Sequence, residues 1–179
     1  MKKSYKIALG GIVSALCLLT MFLTGVIPIL SILLPMVAGI LMMIIVVEVS
    51  IKWAFLTYLS VSILAMIVTF DKEAVLLFIM FFGHYPIIRF KIDAIKSKIT
   101  RNLLKFSVFN ICVLSFFWLT TYLLGLTAFL DEINDIGKYG GLIMIGFVNF
   151  IFLLYEYNLD IFYEMYIKRL KPILKSNSF

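Results

Sequence analysis

Between Lys6 and Glu48 the chain runs for 41 residues without an Asp, Glu, Lys or Arg. As one helix this stretch would measure roughly 60 Å at about 1.5 Å per residue, about twice the ~30 Å hydrocarbon core of a bilayer. The pattern therefore predicts two crossings, over 7–26 and 29–48, with the breakers Gly25 and Pro28 marking the turn. Pro35 falls inside the second and is expected to kink it. Further apolar runs predict spans over 53–70, closed by Asp71-Lys72-Glu73, and over 74–88, which is short for a crossing at 15 residues. The last two fall over 106–130 and 141–158, separated by a polar loop; an amphipathic tail follows over 159–179. The expectation is an all-α integral membrane bundle of six transmembrane helices forming a single domain.

Composition supports lipid as the solvent and principal partner. The 179 residues are 63% hydrophobic and 15% charged, whereas a soluble domain carries about a quarter charged residues. The net charge of +6 does not point to nucleic acid, because the basic residues occupy short segments between apolar runs. With the N-terminus in the cytoplasm, fourteen Lys and Arg residues fall on the inner side and only Lys72 and Lys138 on the outer. That asymmetry predicts cytoplasmic N- and C-termini. The N-terminal Lys2, Lys3 and Lys6 resemble the start of a signal peptide, but the apolar run is too long and has no A-x-A site, so it reads as an uncleaved span. Tyr5, Trp53, Tyr155, Tyr157, Tyr163 and Tyr166 fall near the inner interface, whereas Trp118 falls well within the fifth span.

The sequence holds no phosphate-binding glycine loop, no metal-ligand pair at helical spacing and no nucleophile motif, so no catalytic residue, metal or cofactor is expected. Cys17 and Cys112 both lie in apolar runs and read as packing thiols. Gly11 and Ala15, with Ala8 on nearly the same face, form a small-residue surface that allows close helix approach, either within the chain or to a partner. Around Phe82-Gly83-His84-Tyr85-Pro86, Pro86 frees a carbonyl one turn earlier, and His84 and Tyr85 are candidates for hydrogen bonds between spans. Glu156, Asp160 and Glu164 recur every four residues along one face, which suits either pairing with the basic segment 89–105 or docking of a partner. That segment interleaves its cations with Ile92, Ile95, Ile99, Leu103 and Leu104, the pattern of an interfacial helix on anionic lipid. Glu48 and Asn149 are intramembrane polar residues expected to hydrogen-bond across helices. Outside, Asp71, Glu73, Asp131 and Asp135 are the acidic candidates to meet a ligand.

Six spans, a cytoplasmic N-terminus and the Gly11/Ala15 face resemble the substrate-binding S components of energy-coupling-factor (ECF) vitamin transporters. That resemblance implies a T-type transmembrane subunit docked on the first span and two ATPase subunits on separate chains. The segments DKEAVLLFIMFFGHYPIIR (71–89), KFSVFN (105–110) and NFIFLLYEYNLDIFYEMYIKRLKP (149–172) are similar to small six-span membrane proteins of clostridia and related Firmicutes. The pattern of that group prefers Tyr at His84 and Asp at Glu156, which argues against an essential proton-carrying role for His84. The expected function is a membrane-embedded binding subunit of an ATP-driven importer of a vitamin or precursor. The alternative is a structural scaffold of the cell envelope that docks a partner through its cytoplasmic face. A membrane enzyme ranks behind both, because no nucleophile–base pair can be named.

Overall fold

The structure, a computed structural model, describes residues 3–123 and 139–171, and all regular structure among them is helical. Six helices follow in order: α1 (Lys3–Thr24), α2 (Leu33–Glu48), α3 (Ile51–Val68), α4 (Lys72–Asp93), α5 (Lys98–Tyr122) and α6 (Gly140–Arg169). All but α2 are long and apolar enough to cross a membrane. The starts of three of them follow from one residue type. The side chains of Ser50, Asp71 and Ser97 accept from the amides of Trp53, Ala74 and Thr100, each capping the first turn of its helix. Short connections make the successive helices from α1 to α5 antiparallel. One end of the bundle gathers Lys3, Lys52, Arg89, Lys98 and Arg169 and is called here the basic end; the turns at Gly25–Ile32 and Thr69–Asp71 lie at the opposite end.

Several boundaries differ from the sequence reading, each for a local reason. Pro35 produces no kink, because α2 begins at Leu33 and a proline in the first turn removes no helical hydrogen bond. The preceding Pro28–Leu30 forms a short 3₁₀ turn instead. The fourth span is not a short 74–88 segment: α4 has 22 residues and continues past Arg89 to Asp93. Its charges do not end the helix because they are paired inside the bundle. The segment 89–105 accordingly forms no separate interfacial helix. It is divided between the last turn of α4, a turn at 94–97 and the first two turns of α5. Ile99 and Leu103 point away from the bundle while Arg89 and Lys105 are buried in it. Trp118 of α5 lies exposed beside Tyr122, with ring centroids 6.0 Å apart.

The core centres on α2 and α4. Pro35, Ala38, Gly39, Met42, Met43 and Ile45 of α2 are buried, and α4 is the most enclosed of the five long helices. The outward faces of α1, α3 and α6 carry exposed Ile7, Ile12, Leu19, Ile63, Ile67, Leu142 and Phe150, a surface suited to contact with the lipid bilayer. Phe81 and Tyr85 of α4 stack at 4.6 Å, and Phe109 of α5 stacks on Phe152 of α6 at 4.5 Å, so aromatic rings join the three helices at mid-height.

Two glycine positions mark the difference between packed and open faces. A Cβ at Gly39 would lie 2.2 Å from the Phe82 carbonyl oxygen and 2.7 Å from the Tyr155 hydroxyl, so only glycine lets α2 approach α4 and α6 here. Gly11 has nothing within 4 Å of its Cβ position, and Ala8 and Ala15 are also exposed. The helix turns Val13, Cys17 and Met21 inward, and it is Gly10 that faces Thr57 of α3. Of the two uses for the small-residue face, packing within the described chain is therefore not the one found. Gly39→Ala is expected to destabilise the bundle by about 1–3 kcal/mol through overpacking, whereas Gly11→Ala leaves the melting temperature in detergent unchanged; thermal unfolding of the two variants checks the contrast.

Candidate functional site

At the basic end, charged and polar side chains from three helices converge. Tyr85, Arg89 and Asp93 recur every four residues on α4, Arg101 and Lys105 do so on α5, and Glu156 and Asp160 on α6. Glu156 is the centre. Its carboxylate accepts from the Tyr85 hydroxyl at 2.5 Å, from Nε of Arg89 at 3.1 Å and from Nζ of Lys105 at 2.7 Å. Arg89 also donates to Asp160 and lies 3.5 Å from Asp93, which Lys105 reaches at 2.7 Å and Arg101 at 3.9 Å. Arg89 and Lys105 are 4% and 8% exposed, too deep for water to supply their counter-charge. Three cations and three carboxylates balance within the cluster, as burial of charge requires.

The expected pairing of the acidic stripe with the basic segment is thus made by Glu156 and Asp160. Glu164 does not join; it pairs with Lys168 on its own helix at 2.7 Å and is exposed. Eight residues at 3.6 per turn leave Glu164 rotated by roughly 80° from Glu156, which carries it off the interface. Glu48, at the basic end of α2, reaches Lys171 at 4.0 Å and has the Tyr166 hydroxyl beside it across the helices. Asn149 does bond across helices: its amide and that of Asn110 on α5 donate to each other at 3.1 Å.

The turn before the cluster explains the local path of α4. Residues Phe78–Phe82 form a π-helical turn, with the Gly83 amide donating to the Phe78 carbonyl at 2.7 Å, and Pro86 opens the next helical stretch. The Ile79 carbonyl accepts from the Tyr58 hydroxyl at 2.7 Å and from Nδ1 of His84 at 3.2 Å. His84 is therefore engaged with the backbone, and its Nε2 lies 3.9 Å from the thiol of Cys112. A Cβ at Gly83 would come within 2.7 Å of the Tyr58 ring, so this glycine allows α3 to close on the turn.

Towards the opposite end, α4, α5 and α6 separate around a cavity of about 170 Å³. Its floor is the aromatic cluster of Phe81, Phe82, Phe109, Phe152 and Tyr155, directly above the Glu156 cluster. Val113, Phe116, Met144 and Val148 form the walls, and Ser31, Ile32 and Glu73 stand at the rim. The lining is almost wholly apolar. Tyr155 is fully buried and its hydroxyl has no hydrogen-bond partner.

The acidic candidates at this end divide by role. Asp71 is engaged as the cap of α4, accepting from the Ala74 amide at 3.0 Å. Lys72 is tied back to the Met66 and Thr69 carbonyls at the end of α3, both at 2.8 Å. Glu73 remains, half-buried at the cavity rim and in no ion pair among the described residues. Asp131 and Asp135 lie outside the described residues. Sequence reasoning missed Gly39, Asp93, Asn110 and Tyr155. Asp93 was detectable as the third member of the Tyr85/Arg89 ladder, whereas nothing in an apolar run distinguishes Gly39 from the other small residues.

The electrostatic argument sets an order of stabilities. Glu156→Gln leaves Arg89 and Lys105 buried without their shared carboxylate and is expected to cost about 3–5 kcal/mol. Glu164→Gln breaks an exposed pair worth about 0.3–0.5 kcal/mol. Melting temperatures of the two variants in the same detergent should differ clearly, and equal values would show that the buried cluster contributes nothing special.

No family model matches this chain, and no curated protein or solved structure is significantly similar to it, so the site is read from its own geometry.

Proposed function

We propose that this chain is the membrane-embedded binding subunit of an ATP-driven importer, an S-component-like protein of the cell membrane. In this reading both termini face the cytoplasm, as the distribution of Lys and Arg requires, and the cavity end faces outward. A small molecule, a vitamin or precursor by resemblance, enters the cavity from outside. It is then passed on through a T-type transmembrane subunit driven by two ATPase subunits on separate chains.

The observation that carries the proposal is the cavity: an apolar space of about 170 Å³ in the half of the bundle remote from the basic end, stopped below by packed aromatic rings. Ligand sites have this character, concave and mostly apolar with a few polar groups at fixed positions. A second feature agrees. The Ala8/Gly11/Ala15 face of α1 is uncovered by the chain's own helices, and small residues on an open face permit close approach of a partner helix. The scaffold alternative relied on the acidic stripe as a docking surface. Glu156 and Asp160 are engaged by Arg89 and Lys105, which leaves Glu164 alone of the three.

A pull-down of the tagged protein from its native membrane in mild detergent, read by mass spectrometry, tests the reading. The expected result is stoichiometric recovery of one further membrane subunit and two ATPases. Gly11→Leu should lose most of that recovery while leaving the melting temperature unchanged, since no described residue lies within 4 Å of the Cβ position. Recovery of envelope-assembly proteins, or of no stoichiometric partner, would overturn it.

A further inference from the structure

Given the binding role proposed above, on which this inference rests, the cavity also restricts what can be bound. We infer that its ligand is a small organic cation: an amine on an apolar body about the size of a single ring, with the body in the cavity and the amine at Glu73.

Size comes from the volume. A space of about 170 Å³ is close to the ~150 Å³ apolar cavity that accepts benzene in another protein. Polarity comes from the lining. Val113, Phe116, Phe147, Val148 and Phe152 offer no hydrogen-bonding group to the body of a ligand, and a polar atom placed among them would lose its hydration without compensation. A charged group on the ligand is therefore confined to the rim.

The sign of that charge follows from how the rim residues are engaged. Of the three charged residues that open α4, Asp71 accepts the Ala74 amide and Lys72 is held by two carbonyls of α3, turned to the helix end rather than to the cavity. Glu73 lines the cavity and makes no ion pair among the described residues. An unpaired, half-buried carboxylate at an apolar mouth attracts a cation and repels an anion. Phe116 and Phe147 line the same cavity, and aromatic rings favour the same sign, since the ring quadrupole attracts a cation. An anionic ligand would meet Glu73 with no described cation free to oppose it.

Three probes that share a phenylethyl body separate the possibilities: phenethylamine, 2-phenylethanol and 3-phenylpropanoate, titrated onto the full chain in nanodiscs of phosphatidylcholine and phosphatidylglycerol by ligand-observed NMR. Phenethylamine should bind tightest and 3-phenylpropanoate not measurably. Glu73→Gln should weaken the amine by about tenfold, the size of one charge-assisted hydrogen bond, and leave the alcohol unchanged. Val113→Trp, which fills the cavity, should abolish binding of all three. Because Glu73 lies at the rim, its variant keeps the bundle intact and remains informative if the tryptophan variant fails to fold. Equal binding of the three probes, preference for the acid, or an amine affinity untouched by Glu73→Gln would overturn the inference. Binding of the alcohol that Val113→Trp removes, without preference for the amine, would overturn the ligand class while leaving the capture role standing; the partner pull-down decides that role separately.

Discussion

A carboxylate buried beneath the middle of an apolar bundle has to find its counter-charge within the protein, and Glu156 does so through donors from two other helices. Tyr85, Arg89 and Lys105 supply a hydroxyl, a guanidinium nitrogen and an ammonium at 2.5–3.1 Å. Leaving Arg89 or Lys105 unpaired at this depth costs several kcal/mol, so the three helices cannot separate, slide by a turn or rotate independently. The register of α4 against α5 and α6 follows from this constraint. The apolar contacts above it are less specific: lipid tails compete for them on nearly equal terms, whereas no lipid tail can take the place of Lys105 beside Glu156.

The path of α4 shows how that register is reached. A regular helix from Lys72 to Asp93 would place Tyr85 and Arg89 at different angles from those observed. The π-helical turn at Phe78–Phe82 adds a residue to one turn, and Pro86 restarts the helix below it. Irregular backbone at membrane depth survives only where its polar groups are met inside the protein. Here the Ile79 carbonyl is met by Tyr58 and His84, and the Phe82 carbonyl is covered by the close approach of Gly39. His84 is accordingly a residue that holds the turn.

The two ends of the bundle are therefore built on opposite principles. At the basic end every buried charge is neutralised and the helices are drawn together. Towards the other end no ion pair among the described residues draws α4, α5 and α6 inward, and they leave a space floored by rings whose volume is already occupied in stacking on one another. Beside that space the Glu73 carboxylate makes no ion pair among the described residues. A chain that spends its charges on closing one end has few left to define the other, and those few carry the specificity of the binding role proposed here.

Hydropathy alone was enough to establish an all-helical membrane protein with six helices, because only an internally hydrogen-bonded helix tolerates long charge-free runs in lipid. The same signal misplaced boundaries wherever charge was taken to mean solvent. Arg89 and Lys105 read as parts of an interfacial segment between spans, yet each lies within a helix of the bundle, since a partner on another helix replaces water. The stripe at Glu156, Asp160 and Glu164 was legible from spacing, but which of the three face inward depends on the α5 and α6 interface, and spacing on one helix contains no information about another. Asn149 was recognisable as polar within a span; its partner Asn110 was not, because the two are joined only by packing. The small-residue face of α1 was equally legible in composition, while its outward direction was decided by which side of that helix Val13, Cys17 and Met21 bury. The cavity had no signal in the chain at all: it is a gap between helices, lined by residues indistinguishable by type from those that fill the core.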